Sequence, residues 1–528
     1  MVWKVENPQG SEAGKVIWDI VPYTRGLGFD IGCGSAKAFS HFIGLDNRTD
    51  TQMFGIQMEP DMTIPDASDL SIFASDKYDF AFSSHLLEHI KDFEKALTDW
   101  WRILKVGGYL VLYLPHKNFY PNIGVTGANP DHKHDFLPID IIEAMKEIGT
   151  WDLVVNEDRN DKGCNGQEEY SFLQVFKKTD KGHNYTCNNQ KPALTVALVR
   201  YGAFGDVIQT ASIAGALKAQ GYHVTFYCET RGYEIAKSDP NFDSFIIQDK
   251  DQVPNLRLGD YWGWEKKKYD KWVNLSESVE GTLLALPDRI QGSWTNAMRH
   301  KYMNLNYLEF MHDVSDTQYK WFKEYQRFVP TEDETKWAKE EKEKHKGVVI
   351  MWALAGSAVH KVWPYIDITF ARLLSVTDAV IYTVGDKMAR NLESGWEKED
   401  RVVKKAGEWT IRQTLAFASV CDLVVGPETG VLNAVAYCKD MWKIVLLSHS
   451  SVENLTRDWY KTLSIVPLNT SCYPCHRMHY NWDNCKREEE GVAACQKDIN
   501  PEQMWAALSH CIDEKHFTDK ERRVVLEA

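Results

Sequence analysis

Asp206 is placed where a carboxylate can do chemistry. The run Thr195–Val199 is β-branched and apolar, Gly202 and Gly205 punctuate a tight turn after it, and Asp206 opens a stretch of small and apolar residues at helical spacing. A carboxylate there can take a proton from a hydroxyl. It can also simply start the helix, where the macrodipole favours negative charge. Two more glycine turns carry reactive neighbours: Asp30-Ile31-Gly32-Cys33-Gly34, and Gly426-Pro427-Glu428-Thr429-Gly430, which opens a helix. Glycines let backbone amides approach a ligand closely. Asp46 ends the apolar run Phe42–Leu45 and so can accept hydrogen bonds from ribose hydroxyls. Lys361 follows the small-residue loop after Gly347–Trp352, a cation behind a plausible phosphate cradle. His85, His89, His116, His132 and His134 crowd a short span; an imidazole there can accept a hydroxyl proton, or the pair His85 and His89, four apart on one helix, can merely pack. No metal-ligand spacing links these five. Cys472, Cys475, Cys485 and Cys495 form a C-x2-C-x9-C-x9-C series, open to a structural zinc, to free thiols or to local disulfides.

The elements that must position these groups alternate strand and helix. Val207, Ala211, Ala214 and Leu217 share one helix face, and Gly221 closes that helix. Strands follow at Val224–Tyr227, Phe245–Ile247, near Trp272–Leu275, then at Gly347–Trp352, Ala379–Val384 and Leu423–Val425. In the first third, Tyr78–Ser84 reads as a strand, Leu86, Ile90, Phe93, Leu97, Trp100 or Trp101, and Leu104 as one helix face, and Tyr109–Leu114 as the next strand. Only eight residues separate Gly34 from Ile43, so the first crossover helix is expected to be very short. The fold class expected is α/β, a Rossmann-like domain followed by two Rossmann-like lobes.

The motifs Asp30 to Gly34, Gly44 to Asp46, Ser84 to His89 and Leu104 to Gly108 resemble those of class I S-adenosylmethionine-dependent methyltransferases over about residues 25–150. That resemblance implies S-adenosylmethionine as cofactor, with Gly32 and Gly34 at its methionine end, Asp46 on its ribose, Asp66 near its adenine and Asp30 also among the cofactor-binding residues. Ala36 stands where many relatives have a third glycine. The stretch Arg200-Tyr-Gly-Ala-Phe-Gly-Asp206, then Lys361-Val-Trp-Pro364, then Gly426-Pro-Glu-Thr-Gly430 resembles the heptosyltransferase family of inverting GT-B glycosyltransferases. It implies that Asp206 is the catalytic base, that Lys361, Thr429 and Gly430 hold the diphosphate of a nucleotide-sugar donor without a catalytic metal, and that Glu428 lies near the donor sugar. Glu428 replaces the usual aspartate and Asn433 a common histidine, so the donor need not be ADP-heptose.

The chain has 528 residues and a formal charge of −14, and residues 1–180 hold 17 Lys and Arg against 28 Asp and Glu. So acidic a third would repel a polyanion, which disfavours a nucleic-acid partner for it. The Lys-aromatic stretch Trp264–Trp272 is the one feature that argues the other way. No signal pattern opens the sequence and no apolar run approaches ~20 residues, so a cytoplasmic protein without a membrane span is expected. The expected domains are 1–178, a methyltransferase-like domain; 179–192, a linker; 193–340, an acceptor-side lobe carrying the base; and 341–528, a donor-side lobe ending in a helix that begins at Pro501 and packs back on the first lobe. Thr331–Lys346 reads as an exposed hinge helix. Together these imply a bifunctional enzyme that glycosylates a glycan-type acceptor and O-methylates a sugar or related group. The alternatives are glycosylation of a modified nucleic-acid base, or a glycosyltransferase with a non-catalytic docking module.

Overall fold

The computed structural model describes residues 11–34, 36–47, 60–188, 194–249, 252–276, 295–356, 361–476, 488–489 and 492–517. They fall into two compact units, residues 1–192 with 248–268, and residues 193–247 with 269–528.

The first unit is built on eight strands: β1 (Gly28–Ile31), β2 (Ile43–Asp46), β3 (Met62–Thr63), β4 (Tyr78–Ser84), β5 (Leu104–Pro115), β6 (Trp151–Arg159), β7 (Ser171–Lys178) and β8 (Asn184–Tyr185). Their order is β3-β2-β1-β4-β5-β7-β6-β8. The strands β1 to β5 pair in parallel, and β7 enters antiparallel between β5 and β6. The apolar runs in β1 and β4 are buried because helices and loops cover both sheet faces. The helix Phe93–Ile103 sets Leu97, Trp100 and Ile103 into that core with Phe29, Leu112 and Trp151.

Three expectations change here. The helix predicted from Leu86 starts at Phe93, because Asp92 caps it by accepting from Lys95 N (3.2 Å), and His85, at φ +48°, breaks the chain away from a helical path. His85 and His89 therefore do not share an α-helix; His89 ends a single 3-10 turn, Leu87–His89, ahead of the helix Phe93–Ile103. Between β1 and β2 the described residues form turns and no helix at all. Two carboxylates brace that connection instead: Asp30 accepts from Ala38 N (2.8 Å) and Asp46 from Gly34 N (3.0 Å). Finally, residues 184–185, expected in a linker, form β8 and pair with Asp152 and Leu153 of β6.

Residues 248–268, expected in the acceptor-side lobe, also belong to the first unit. Asp19 explains why. Its carboxylate accepts from Trp264 Nε1 (2.9 Å) and Lys268 Nζ (2.8 Å) and pairs with Arg159 (2.8 Å), while Arg257 lies over the Trp18 ring at 4.5 Å. Burial alone would raise the Asp19 carboxyl, but Lys268 and Arg159 outweigh it and hold it below its ordinary value. The Lys-aromatic stretch is thus spent partly on internal pairing: Trp264 and Lys268 serve Asp19, Lys268 also serves Glu265 (2.6 Å), and Tyr269 bonds Tyr227 (2.9 Å). The polyanion-binding stripe that would favour a nucleic-acid acceptor loses these groups.

The second unit holds two parallel sheets. One has β9 (Thr195–Val199), β10 (His223–Cys228), β11 (Ser244–Ile247) and β12 (Lys271–Asn274) in the order β11-β10-β9-β12. The other has β13 (Val349–Ala353), β14 (Val380–Val384), β15 (Val402–Lys404), β16 (Leu423–Pro427), β17 (Trp442–Leu446) and β18 (Thr462–Ile465) in the order β15-β14-β13-β16-β17-β18. One apolar cluster spans both, from Val207 and Ala214 of the helix Phe204–Ala219 to Met351, Leu415 and Leu432. The final helix, Pro501–Cys511, packs on the second sheet's own core with Trp363 and Phe370 rather than on the first lobe, since Met504, Trp505 and Leu508 form its apolar face. The helix Glu332–Lys342 is anchored too: Ala338 is buried, Trp337 packs on Trp409 (5.1 Å), and Glu334 is bound by Arg412. The expected exposed helix is thus present, with one face tied down.

Candidate functional site

In the second unit the predicted residues converge on the starts of two helices. Asp206 sits in the first turn of the helix Phe204–Ala219, where its Oδ2 accepts from Ala203 N (2.9 Å) and its Oδ1 pairs with Arg200 Nη2 (3.0 Å). Arg200 is itself buried and donates to the Leu275 carbonyl (2.9 Å) and the Tyr307 hydroxyl (2.8 Å). Gly202 is required here, because a Cβ on it would lie 2.8 Å from Asp206 Oδ2. Gly205 and Gly430 bring the two helix starts together: a Cβ on Gly430 would stand 3.1 Å from Gly205 N, and one on Gly205 would stand 3.8 Å from Gly430 Cα. Asn433 ties the same region, its buried amide accepting from Gln326 (3.2 Å) and Gln209 (3.4 Å) and donating to the Thr429 carbonyl (3.1 Å).

Lys361 donates to the Glu428 carbonyl (2.8 Å), next to Thr429, whose buried hydroxyl has no hydrogen-bond partner among the described residues. Residues 357–360 of the small-residue loop lie outside the described residues. The Glu428 carboxylate is turned onto the segment after β17: it accepts from His449 N (3.1 Å), Ser448 N (3.3 Å), Ser450 N (3.4 Å) and the Ser448 hydroxyl, and pairs with the His449 ring. Burial pushes this carboxyl up, but His449, Lys361 and Ser448 outweigh it and hold it well below the carboxylate range. Glu428 thus shapes the loop at this site. Glu428→Gln is expected to lower stability at neutral pH by about 1.5 to 3 kcal/mol, the worth of hydrogen bonds to a charged group. Because the folded carboxyl titrates below its unfolded value, that contribution is present above the ordinary carboxylate range and fades as the pH falls through it. Melting curves of the two proteins should therefore converge in acid, and parallel curves would contradict the assignment.

In the first unit, Gly32 and Gly34 both take positive φ (+78° and +59°), the glycine-favouring conformation of a tight ligand turn. The Gly34 amide is engaged by Asp46, so the acid at the end of β2 also sets the turn. Asp30 is buried and pushed up to about 7 by desolvation. Asp66 is exposed and accepts from Ser68 N (2.8 Å). The Ser84 hydroxyl, at the end of neighbouring β4, is buried without a hydrogen-bond partner among the described residues. Leu86 packs on this turn, for a Cβ on Gly32 would lie 2.7 Å from it.

Directly after β4 three of the five histidines meet. His85 Nδ1, His89 Nε2 and His132 Nε2 stand 3.8, 3.9 and 3.8 Å from one atom, Glu88 Oε1. His132 is brought in because Lys133 N and His134 N donate to the Glu88 carbonyl (2.7 and 3.2 Å). Burial holds His85 well below its ordinary value and His132 at about 4, so both imidazoles are neutral near pH 7. His116, stacked on Phe119 at 4.2 Å, and His134, stacked on Phe136 at 5.3 Å, are spent elsewhere. Glu88 has no assigned role in the sequence reading; the spacing His85-x-x-Glu88-His89 was its only signal. Cys472, Cys475 and Cys495 do not converge as a metal-ligand set among the described residues, while Cys485 lies outside them.

The family model for a methyltransferase domain matches residues 29–112. No curated protein matches the chain. Among solved structures, the chain is similar to Escherichia coli ADP-heptose lipopolysaccharide heptosyltransferase II (14% identity, 60% of this chain and 98% of that one, TM-score 0.43). It is also similar to a family 9 glycosyltransferase of Veillonella parvula (15% identity, 64% and 98%, TM-score 0.43). A third similarity is to a SAM-dependent methyltransferase of Archaeoglobus fulgidus (16% identity, 32% and 95%, TM-score 0.25). Among the described residues, no helix is long and apolar enough to cross a membrane.

Proposed function

We propose that the chain joins two transferases, an S-adenosylmethionine-dependent O-methyltransferase and an inverting glycosyltransferase that act on a glycan. The observation that carries the glycosyl-transfer reading is the meeting of Gly205 with Gly430, which puts Asp206 on one helix start beside Thr429 on the other. In this reading Asp206 takes the proton of the acceptor hydroxyl as that oxygen attacks the anomeric carbon. Lys361, Thr429 and the Gly430 amide stabilise the departing diphosphate, and Glu428 holds the loop that frames the donor.

For methyl transfer, the positive-φ glycines, the Asp46 carboxylate and the orphaned Ser84 hydroxyl fit an S-adenosylmethionine cradle. Gly32 and Gly34 would close on the methionine end, Asp30 would brace the turn, and Asp46 and Asp66 would face ribose and adenine. The bound cofactor supplies the methyl group. His85, neutral and next to Leu86 on the turn, takes the proton of the acceptor hydroxyl. Eleven cysteines in a chain of 528 residues are compatible with a reducing compartment, and we place the protein in the cytoplasm.

A thermal-shift panel of nucleotide sugars and S-adenosylhomocysteine tests both halves, since a ligand at 100 times its dissociation constant adds about 2.7 kcal/mol of stability. A response to neither class would overturn the proposal. Asp46→Ala is expected to weaken S-adenosylhomocysteine binding and leave glycosyl transfer intact; unchanged affinity by calorimetry would remove Asp46 from the cradle.

A further inference from the structure

We infer that Glu88, His89 and His132 form a binding site for one divalent transition-metal cation inside the methyltransferase domain. The ligand atoms of these three lie within 4.8 Å of one another, and they are the group of this kind among the described residues. Glu88 is fully buried, 0% exposed, and neither of its carboxylate oxygens has a hydrogen-bond partner among the described residues. A buried carboxylate without donors is unfavourable, and a cation is one of the few partners that satisfies it.

The spacings fit a cation better than they fit hydrogen bonds. At 3.8 to 3.9 Å the imidazole nitrogens are too far from Glu88 Oε1 to bond it. Two ligands that each sit about 2.1 Å from a shared ion stand roughly 3 to 4 Å apart, according to the angle between them. The donor set, imidazole with carboxylate, suits manganese, iron, cobalt or zinc rather than calcium.

The surroundings hold the set in place. Lys133 N and His134 N fix His132 through the Glu88 carbonyl, and the His89 and His132 rings meet edge to face at 4.7 Å. His85 lies at the rim, its Nδ1 beside Glu88 Oε1 and its Nε2 bonded to Ser171 Oγ (2.8 Å). Leu86, next along from His85, packs against Gly32 of the cradle. On the methyl-transfer reading, the cation is therefore a Lewis acid next to the cradle, available to an acceptor oxygen. The site itself stands without that reading.

The test uses the full chain, dialysed against chelator and titrated with CoCl2, MnCl2 or ZnCl2. One equivalent of cobalt is expected to give visible d–d absorption, and at least one of the three cations to raise the melting temperature. Glu88→Gln and His132→Asn are each expected to weaken binding by more than the about 10- to 100-fold that loss of an outer partner causes. His116→Gln, outside the set, is expected to bind normally. Glu88→Gln keeps the size and polarity of the side chain, so a melting temperature close to the parent's without metal shows that it folds. No binding of any of the three by the parent, or the same affinity in parent and Glu88→Gln, overturns the site. S-adenosylhomocysteine, titrated separately, keeps the two ideas apart: its binding without cation binding leaves methyl transfer and removes the metal, and the converse leaves the metal and removes methyl transfer.

Discussion

Asp206→Asn is expected to lower glycosyl-transfer turnover by about 10² to 10⁴, the usual span for loss of a general base. The substitution is informative because of what it preserves. An asparagine oxygen still accepts from Ala203 N, so the start of the helix Phe204–Ala219 stays capped. What it removes is the proton-accepting charge and the pairing with Arg200. Arg200 keeps its bonds to the Leu275 carbonyl and the Tyr307 hydroxyl, so the cost to stability should stay within about 1.5 to 3 kcal/mol, the worth of a charged hydrogen bond. Donor affinity should barely change, since the proposed diphosphate contacts come from Lys361, Thr429 and Gly430. Initial rate, donor binding and melting temperature measured on one preparation separate the possibilities. Parental turnover in a slightly less stable protein would make Asp206 a helix-start residue only.

Many of the strands were legible because they are short apolar runs bounded by turn residues, and the predicted segments around Val224, Phe245, Val349 and Leu423 differ from the observed ones by a residue or two, whereas β6, β7, β15, β17 and β18 were not named. The placement of Leu86 was not legible. Apolar spacing alone continues a helix through it, and only the left-handed backbone at His85 and the Asp92 cap stop it. Charge patterning at Glu332–Lys342 announced the exposed face and not the anchored one: nine of its eleven residues are polar or charged, yet Glu334 answers a buried arginine far along the chain. The affiliation of residues 248–268 depends on Asp19, more than two hundred positions away, and no local pattern announces such a partner. In the candidate sites, sequence reading named the glycines, Asp46, Asp206, Lys361 and Thr429, because turn chemistry is local. It passed over Glu88, Arg200 and His449, whose meaning comes from what surrounds them.

Arg412→Ala is expected to cost about 3 kcal/mol, the lower end of the range for removing one partner of a buried ion pair. Arg412 is only 6% exposed. Its guanidinium binds Glu334 with both Nε and Nη2 at 2.6 Å, and donates to the Glu234 carbonyl (2.6 Å) and Ser238 Oγ (2.7 Å). It also lies over the Phe328 ring at 4.7 Å. One side chain thus joins three helices, Thr230–Ala236, Glu332–Lys342 and Ile411–Ala418. The lower end applies because Glu334 retains some access to water and could be hydrated after the loss. Arg412→Lys should recover only part of the stability, since an ammonium cannot form the bidentate fork. Burial raises the Glu334 carboxyl, but Arg412 and the Thr331 amide outweigh it and hold the group below its ordinary value. Its contribution is therefore complete above the ordinary carboxylate range and lost as the pH falls through it. Urea unfolding of parent and Arg412→Ala should show a gap that is widest at neutral pH and narrows in acid. Because Arg412 lies outside the proposed donor and acceptor contacts, the variant's folded fraction should turn over with a lowered rate only if the pairing of the two sheets sets the approach of Asp206 to Thr429. An unchanged unfolding midpoint would mean that the three helices are held by their apolar contacts alone.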